Sequence, residues 1–272
     1  MDTVEGSFDE KVVYESGLRG YFTVDEPNHV PGTPKRRRRN VDFLRLKDFA
    51  LHLMGVLPGK KILEIGCGYG AEMLPCALQG AEVYGVDLSE SRVSFANEAA
   101  ARYDVRAQAR IADARQLDFP DCTFDAVFSS DFLEHVTEDV KEAVFREAYR
   151  VLKPGGMLVS KTPNLWYLRA SLFYRRLRAL SRFQNPMKEV IPHTPGTEDP
   201  QHIGLTTRWA LAAHMLKAGF LNYRFFYAPL RRFGTSPVVE ILSTEIPLVR
   251  DVLSEDLFAV AYKPIRLSYF PD

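Results

Sequence analysis

Three glycines alternate with other residues in the stretch LEIGCGYGAE, residues 63–72. They are Gly66, Gly68 and Gly70, and Glu64 stands two residues before the first of them. Glycine has no Cβ atom and permits positive φ, so such a turn lets the backbone approach a ligand closely. Turns that hold a pyrophosphate have the different spacing G-x-G-x-x-G. Because a carboxylate repels a pyrophosphate and attracts a cation, the stretch predicts a nucleoside ligand that carries a positive charge.

Two further acids follow the next two predicted strands. Asp87 ends the apolar run of VYGVDLS, about 20 residues past the glycines, where an acid can accept hydrogen bonds from both ribose hydroxyls. Asp113, in IADA, follows the third predicted strand and could reach an adenine amino group. Open α/β sheets bind ligands at the carboxyl ends of their strands. We therefore expect Glu64, Asp87 and Asp113 to converge on one ligand.

The elements that must position these acids alternate along the chain. Short apolar runs predict strands, and stretches with a helical period lie between them. This order predicts a doubly wound α/β fold with a mostly parallel sheet. The predicted strands are 60–66, 83–89, 106–114, 124–130, 156–162, 221–227 and 257–263, and the predicted helices are 72–80, 92–103, 139–152, 166–183 and 206–220. We expect residues 153–156 to form the turn that ends the third helix.

The rhythm of strands and helices divides the chain into four parts. Residues 1–55 predict an N-terminal cap segment, with a basic run at 35–39 and a helix over 40–55, and residues 56–162 predict the cofactor-binding core. Residues 163–205 predict an inserted cap or lid that contains an Arg-rich helix. Residues 206–272 predict the C-terminal part of the core sheet, with an irregular piece at 228–255. We expect both caps to cover the same edge of the sheet.

Composition favours a cytoplasmic protein with one large core. The 272 residues are 46% hydrophobic and 26% charged, and 35 basic residues balance 35 acidic ones. A zero net charge does not favour nucleic acid as a partner. Three cysteines do not make a disulfide framework, and we find neither a signal peptide nor the roughly 18 apolar residues of a membrane span. The basic run Lys35–Arg39 could bind a phosphate, nucleic acid or anionic lipid, but we favour a solvated turn.

Several stretches between residues 60 and 162 together resemble a known family. EIGCGYG, VDLS, ADARQLDFPDCTFDAVFSSDFLEHV and EAYRVLKPGG are similar to the ordered motifs of class I S-adenosylmethionine-dependent methyltransferases, of the type-11 or ubiquinone-biosynthesis-like kind. The resemblance implies a Rossmann-like sheet of seven strands, the last antiparallel, and S-adenosyl-L-methionine as cofactor. The residues that it implies for cofactor binding are Glu64, Gly66, Cys67, Gly68 and Gly70 at the methionine end, Asp87 and Leu88 at the ribose, Asp113 and Ala114 at the adenine, and Ser130 by the sulfonium.

Within this set Cys67 reads as a small buried filler and not as a nucleophile. Asp131 and Phe132, which follow Ser130, would lie beside the sulfonium and the substrate.

Catalysis by such an enzyme is chiefly alignment, although a hydroxyl or ammonium acceptor also needs a base. The titratable residues after the fourth predicted strand are Asp131, Glu134 and His135. His135 is a candidate base, or it starts or caps the next helix near the adenosine. His202 is a candidate substrate contact, or it marks the entry to a helix capped by Thr206 or Thr207. His193 is a weaker candidate that we expect to be exposed.

The function that these residues indicate is methyl transfer to an oxygen, nitrogen or carbon atom of a small molecule, such as a sugar, a lipid or a secondary metabolite. These residues also allow a phosphorylated or lipid-linked substrate. SSDF stands where nucleobase amino methyltransferases have Asn/Asp-Pro-Pro-aromatic, and the cysteine needed for cytosine C5 methylation is missing there. No Cys and His residues have metal-site spacing, so no metal is expected. The alternatives are an RNA or protein methyltransferase and a non-catalytic cofactor-binding protein of the same fold.

Overall fold

The computed structural model describes residues 50–55, 58–198, 200–227 and 237–265. The strands are β1 Lys61–Ile65, β2 Glu82–Asp87, β3 Ala107–Ile111, β4 Phe124–Ser130, β5 Leu152–Pro163, β6 Asn222–Tyr227 and β7 Asp256–Tyr262. The helices are α1 Met73–Leu78, α2 Glu90–Arg102, α3 Glu138–Val151, α4 Leu165–Ser181, α5 Arg208–Ala218, α6 Pro237–Thr244 and α7 Val249–Leu253. Short 3-10 helices lie at Leu133–His135 and Pro186–Lys188.

The strands form a seven-stranded sheet in the order β3-β2-β1-β4-β5-β7-β6. β1 and β3 both pair with β2 in parallel, and β4 pairs with β5 in parallel. β7 is antiparallel to both β5 and β6. The predicted α/β class, the seven strands and the antiparallel last strand are therefore confirmed.

The chain divides into two compact units, Met1–Ile111 and Ala112–Asp272. In the described part of the first unit, the aliphatic side chains of β1 and β2 are buried, as the continuous apolar runs of parallel strands predict. α2 begins after Ser89, whose Oγ accepts a hydrogen bond from the backbone N–H of Arg92. Asn97 of α2 exchanges two hydrogen bonds with the backbone of Ala109, at 3.0 and 2.8 Å. These bonds hold α2 against β3.

The second unit is built around the buried strand β4 and the long strand β5. All the side chains of β4 are buried except that of Asp125, which is half-buried. α3 buries one face, which includes Val144, Phe145 and Ala148. Because β5 has β4 on one side and β7 on the other, polar residues at its end are held in a buried setting.

Two predictions about element boundaries were wrong. α3 ends at Val151 and β5 begins at once, so Lys153–Gly156 belongs to the strand instead of forming a separate turn. The reason is backbone pairing, since Gly155 N–H donates to Lys263 O and Lys263 N–H donates to Gly156 O, both at 2.9 Å. Gly155 takes φ +80°, which glycine permits. The piece predicted to be irregular, 228–255, contains α6 and α7 in its described part.

Some predictions fall outside the described residues. These are the N-terminal cap up to residue 49, the basic run Lys35–Arg39 and most of the helix expected over 40–55. Residues 50–54 of that helix are helical. Among the helices that the structure describes, none is long and apolar enough to cross a membrane.

Candidate functional site

The glycine turn after β1 is held by backbone hydrogen bonds to β2. Gly66 and Cys67 N–H groups both donate to Val86 O, at 2.8 and 3.0 Å, and Gly70 N–H donates to Cys67 O at 2.8 Å. Gly66, Gly68 and Gly70 have φ values of +73°, +49° and +81°. Side chains rarely adopt this left-handed region, so the glycine spacing follows from the path of the backbone.

Asp87, at the end of β2, anchors the turn. Its Oδ2 accepts a hydrogen bond from Gly68 N–H at 3.0 Å, and its Oδ1 accepts one from Ser89 N–H at 2.9 Å. A Cβ atom built on Gly68 would meet nothing within 4 Å, so the turn borders open space there. Each oxygen of an ionised carboxylate keeps a second lone pair, which is free to accept a bond from a ligand hydroxyl.

Glu64 and Cys67 lie below the surface of the same turn. Glu64 is only 1% exposed although it is an acid at the end of a strand. Burial raises the pKa of the Cys67 thiol, and the charges of Glu64 and Asp87 raise it further. A Cβ atom on Gly85 would lie 2.7 Å from Cys67 Sγ, so the thiol fills the space over that glycine. Cys67 is therefore a buried neutral thiol, as a filler should be. Leu88, in contrast, is 73% exposed.

In the second unit Asp113 is engaged by a nearby guanidinium. Arg115 Nη2 lies 2.6 Å from Asp113 Oδ2, and Arg115 N–H donates to Oδ1 at 2.9 Å. These hydrogen bonds, from the side chain and then from the backbone, lower the pKa of Asp113. Ala114 beside it is half-buried. Asp113 is thus a fixed carboxylate at the end of β3.

Ser130 ends β4 with a buried hydroxyl. Within the described residues its Oγ has no hydrogen-bond partner, and the same is true of Ser129 Oγ. A buried hydroxyl without a partner costs free energy, and such groups are found where a ligand or water completes the bonding. Ser130 therefore fits the predicted role of a ligand contact.

Asp131, the next residue, forms an ion pair that the sequence did not predict. It takes φ +53°, a conformation that is uncommon outside glycine and clusters at functional sites. Its carboxylate binds Lys161 Nζ, which also lies 3.6 Å from Asp256 Oδ1. Burial alone would lower the pKa of Lys161, but the two carboxylates raise it, so the ammonium stays charged. The only signal in the sequence was a lysine inside the apolar strand GMLVSKT.

Glu134 is a buried carboxyl in the 3-10 helix after β4. Its Oε2 accepts a hydrogen bond from Thr162 Oγ1 at 3.2 Å. Burial raises the pKa of Glu134 to about 8, and the charge of Asp131 adds to that rise. Glu134 can therefore carry or release a proton near neutral pH.

His135 and His202, 67 residues apart in sequence, lie side by side. Their ring centroids are 5.1 Å apart, and the ring of His193 lies 5.3 Å from that of His202. Nδ1 of His135 lies 3.1 Å from the carbonyl oxygen of Gln201 and must donate, because a carbonyl only accepts. His193 is exposed, as predicted. The fold thus joins the end of the insertion to the segment after β4.

The helix-entry roles considered for the two histidines go to other residues. α3 begins at Glu138 after Thr137, so His135 neither starts nor caps that helix. Thr207 caps α5, with its Oγ1 accepting from Ala210 N–H, so the prediction of a threonine cap is confirmed. His202 lies five residues before that cap.

Comparison with known proteins identifies the domain to which these motifs belong. Residues 63–160 match the family model described as "Methyltransferase domain". Residues 63–160 of the chain thus carry a methyltransferase domain. The match covers the glycine turn, Asp87, Asp113 and the segment after β4, and it ends within β5 of the methyltransferase domain.

Two curated relatives and one solved structure show what the chain is similar to. It is 36% identical over 155 residues to phosphoethanolamine N-methyltransferase 3 of Arabidopsis thaliana, which covers 56% of this chain and 29% of the relative. It is 39% identical over 112 residues to 27-O-demethylrifamycin SV methyltransferase of Amycolatopsis mediterranei, 39% of this chain and 40% of the relative. The matched segments thus span less than half the length of these relatives.

The solved structure is phosphoethanolamine N-methyltransferase 2 of Haemonchus contortus in complex with S-adenosyl-L-methionine. Its TM-score is 0.55 at 21% identity, over 81% of this chain and 52% of that one. This likeness shows the fold of the methyltransferase domain.

Proposed function

We propose that the chain transfers a methyl group from S-adenosylmethionine to an oxygen, nitrogen or carbon atom of a small molecule. The observation that carries the proposal is the glycine turn of the methyltransferase domain, anchored on Asp87 beside open space at Gly68. The names of the curated relatives support a small-molecule acceptor, since phosphoethanolamine and a rifamycin are small molecules.

The residues of the first unit fit the cofactor. The buried Glu64 suits a cationic amino group, and Gly68 leaves room for the methionine end beside the turn. Asp87 has lone pairs for the ribose hydroxyls, and exposed Leu88 offers an apolar surface next to them. Cys67 contributes as packing under the turn and not as a nucleophile.

Three residues of the second unit keep the roles that the resemblance implies. These are Asp113 and Ala114 for the adenine and Ser130, with its buried hydroxyl, for a polar group of the ligand. S-adenosylmethionine, when bound, supplies a methyl group on an activated sulfonium. The protein then has to align the acceptor and to accept its proton.

The catalytic assignment follows the polar groups after β4. Asp131 pairs with the Lys161 ammonium and could orient an acceptor. His135 and His202 are the candidate bases, and the contact between their rings holds the two imidazoles next to each other. Buried Glu134 can hold the proton that leaves the acceptor.

A phosphorylated or lipid-linked acceptor is the narrower form of the proposal. The name of the Arabidopsis relative contains a phosphorylated amine. In this chain α4 carries several arginines, of which Arg178 is exposed, whereas Arg175 pairs with Glu189 at 3.4 Å. An exposed guanidinium can bind a phosphate in a bidentate manner.

The test is a survey of acceptors with S-adenosylmethionine labelled on the methyl group. The full chain is incubated with small-molecule, lipid, RNA and protein extracts, each with and without prior phosphatase treatment. We expect label in the small-molecule or lipid fraction, and loss of that label after phosphatase treatment for a phosphorylated acceptor. Label confined to RNA or protein would favour that alternative. Binding of the cofactor with no labelled product in any fraction would favour a non-catalytic protein.

A further inference from the structure

We propose that Glu134, His135 and His202 form a binding site for a divalent first-row transition metal of the zinc type. One potential ligand atom from each of these three residues lies within 4.8 Å of the other two. The set was not visible in the sequence, because His202 comes from the distant end of the insertion. The inference concerns metal binding and goes beyond the proposed methyl transfer. In the metal-bound form these side chains would ligate the ion and would not act as the bases named above.

The backbone holds the three side chains together. Gly204 N–H donates to Glu134 O at 2.8 Å, and Lys141 Nζ donates to Gly204 O at 2.5 Å. A Cβ atom at Gly204 would lie 1.9 Å from Val136 O, so only glycine permits this close approach. The loop that contains His202 is therefore bound to the segment that carries Glu134 and His135.

The surroundings of two ligands match those of metal sites. His135 donates its Nδ1–H to the carbonyl oxygen of Gln201, so in the neutral ring Nε2 carries the lone pair that could bind a metal. Metal-binding histidines almost always make such a bond with their other ring nitrogen. The carboxylate of Glu134 is oriented in a similar way, since its Oε2 accepts from Thr162 Oγ1 at 3.2 Å. Both bonds orient a ligand before any ion arrives.

The ligand types select the metal. Two imidazoles and one carboxylate form the protein ligands of one class of zinc site, in which a fourth position stays open. Zinc bonds of about 2.0–2.1 Å to these ligands require separations of about 3.3 Å, so the ligand atoms, now within 4.8 Å of one another, would have to move closer when an ion binds. His135 is exposed and His202 half-buried, so an ion can enter. If the proposed function holds, an oxygen atom of the acceptor would take the open position.

The experiment measures metal binding by the full chain without cofactor or acceptor. Metal-free protein is titrated with Co²⁺, followed by visible absorption, and bound Co²⁺ is then displaced by Zn²⁺. We expect one equivalent to bind, with an affinity weakened at least tenfold in His202→Ala and in Glu134→Gln. His193→Ala is the matched control, because His193 also contacts His202 but is not one of the three ligands; its affinity should stay within threefold.

Three outcomes would overturn the proposal. They are no stoichiometric binding by the wild type, binding that His202→Ala leaves unchanged, and binding that His193→Ala weakens as much as His202→Ala does. The last result would indicate an adventitious surface pair of histidines. Circular dichroism checks the fold of each variant, and since His202 lies in a loop, His202→Ala decides the matter if Glu134→Gln does not fold. Failure here leaves the labelled-methyl survey unaffected.

Discussion

At the residue scale, Asp87 has two roles, and the sequence suggested only one of them. Its position at the end of β2 predicted a contact with ribose, and the structure adds hydrogen bonds from Gly68 and Ser89. An aspartate here therefore orders the glycine turn before any ligand binds. Preordering of this kind reduces the entropy that a ligand must lose on binding.

Replacing Asp87 by Ala should weaken S-adenosylmethionine binding at least tenfold, because the turn loses its anchor and the ribose its acceptor. Calorimetric titration with the cofactor measures this, and a change under twofold would remove the ribose assignment. Glu98→Gln is the control. Glu98 lies on α2, where its Oε1 accepts a hydrogen bond from Ser94 Oγ at 3.1 Å. Its affinity should match that of the wild type.

Lys161 gives a prediction about stability. Removing the lysine leaves the buried carboxylate of Asp256 without the cation that now neutralises it. Lys161→Met should therefore lower the free energy of unfolding by about 3 kcal/mol. Lys153→Met is the matched control on the same strand, because its pair with Asp125 is only half-buried and its loss should cost about 1 kcal/mol or less. Urea unfolding of both variants checks this. Equal losses would contradict a special role for Lys161.

Glu134 predicts a dependence of stability on pH. Its pKa is raised from an ordinary 4.5 to about 8, so between these values the folded chain holds a proton that the unfolded chain has released. Stability from this group therefore falls as pH rises, with a slope of up to about 1.4 kcal/mol per pH unit.

Glu134→Gln should remove this slope. Measured in a chelator from pH 5 to 8, the variant should gain stability relative to the wild type at each step upward. Glu142→Gln, an exposed residue of α3 that pairs with Lys217, should keep the wild-type slope. A difference between wild type and Glu134→Gln that stays constant with pH would show that Glu134 titrates normally in the folded chain.

At the scale of elements, Asn164 joins β5 to α4 and to α7. Its Oδ1 accepts from Trp166 N–H and so caps α4, while its Nδ2 donates to the carbonyl oxygens of Asp251 and Ser254 at 2.8 and 2.9 Å. The side chain is buried, so no water replaces these bonds when it is removed. One residue thus fixes where the insertion leaves the sheet.

Asn164→Ala should lower the free energy of unfolding by about 2–4 kcal/mol, from the lost cap and two buried carbonyls without donors. Asn185→Ala is the control, because Asn185 caps only the exposed 3-10 helix Pro186–Lys188 and should cost well under about 1 kcal/mol. Thermal or urea unfolding measures both. Similar costs would mean that the buried bonds contribute little.

At the scale of the whole molecule, the balance of 35 basic and 35 acidic residues bears on the partner. Affinity for nucleic acid comes largely from phosphate neutralisation and needs a surplus of positive charge. A neutral chain that acts on small molecules has no such requirement. The basic run Lys35–Arg39 lies outside the described residues and stays predicted as a solvated turn.

The charge balance predicts weak binding to RNA. In fluorescence anisotropy with a labelled single-stranded RNA at 150 mM salt, we expect a Kd weaker than about 100 μM, the weak end for non-specific binders. A variant with glutamine at residues 35–39 should behave in the same way. Micromolar RNA binding by the wild type that is lost in this variant would instead support the RNA methyltransferase alternative.

The sequence by itself determined the strands, most of the helices and the glycine motif, but not α6 and α7. Apolar runs and helical periods depend on neighbours close in the chain, so the strands of the sheet, the glycine turn and Asp87 could all be located without a structure. It did not reveal that Lys153–Gly156 joins β5, since that pairing partner, Lys263, lies more than a hundred residues away.

Only the tertiary structure decided which polar residues share an environment. Lys161 with Asp131 and Asp256, and Glu134 with His135 and His202, are groups assembled from segments far apart in sequence. Burial and neighbouring charges shift the pKa values of Lys161 and Glu134, and neither effect is a property of a local stretch of chain. Local patterns therefore predicted the sheet and the glycine turn. The clusters of polar residues after β4 arise from packing between distant segments.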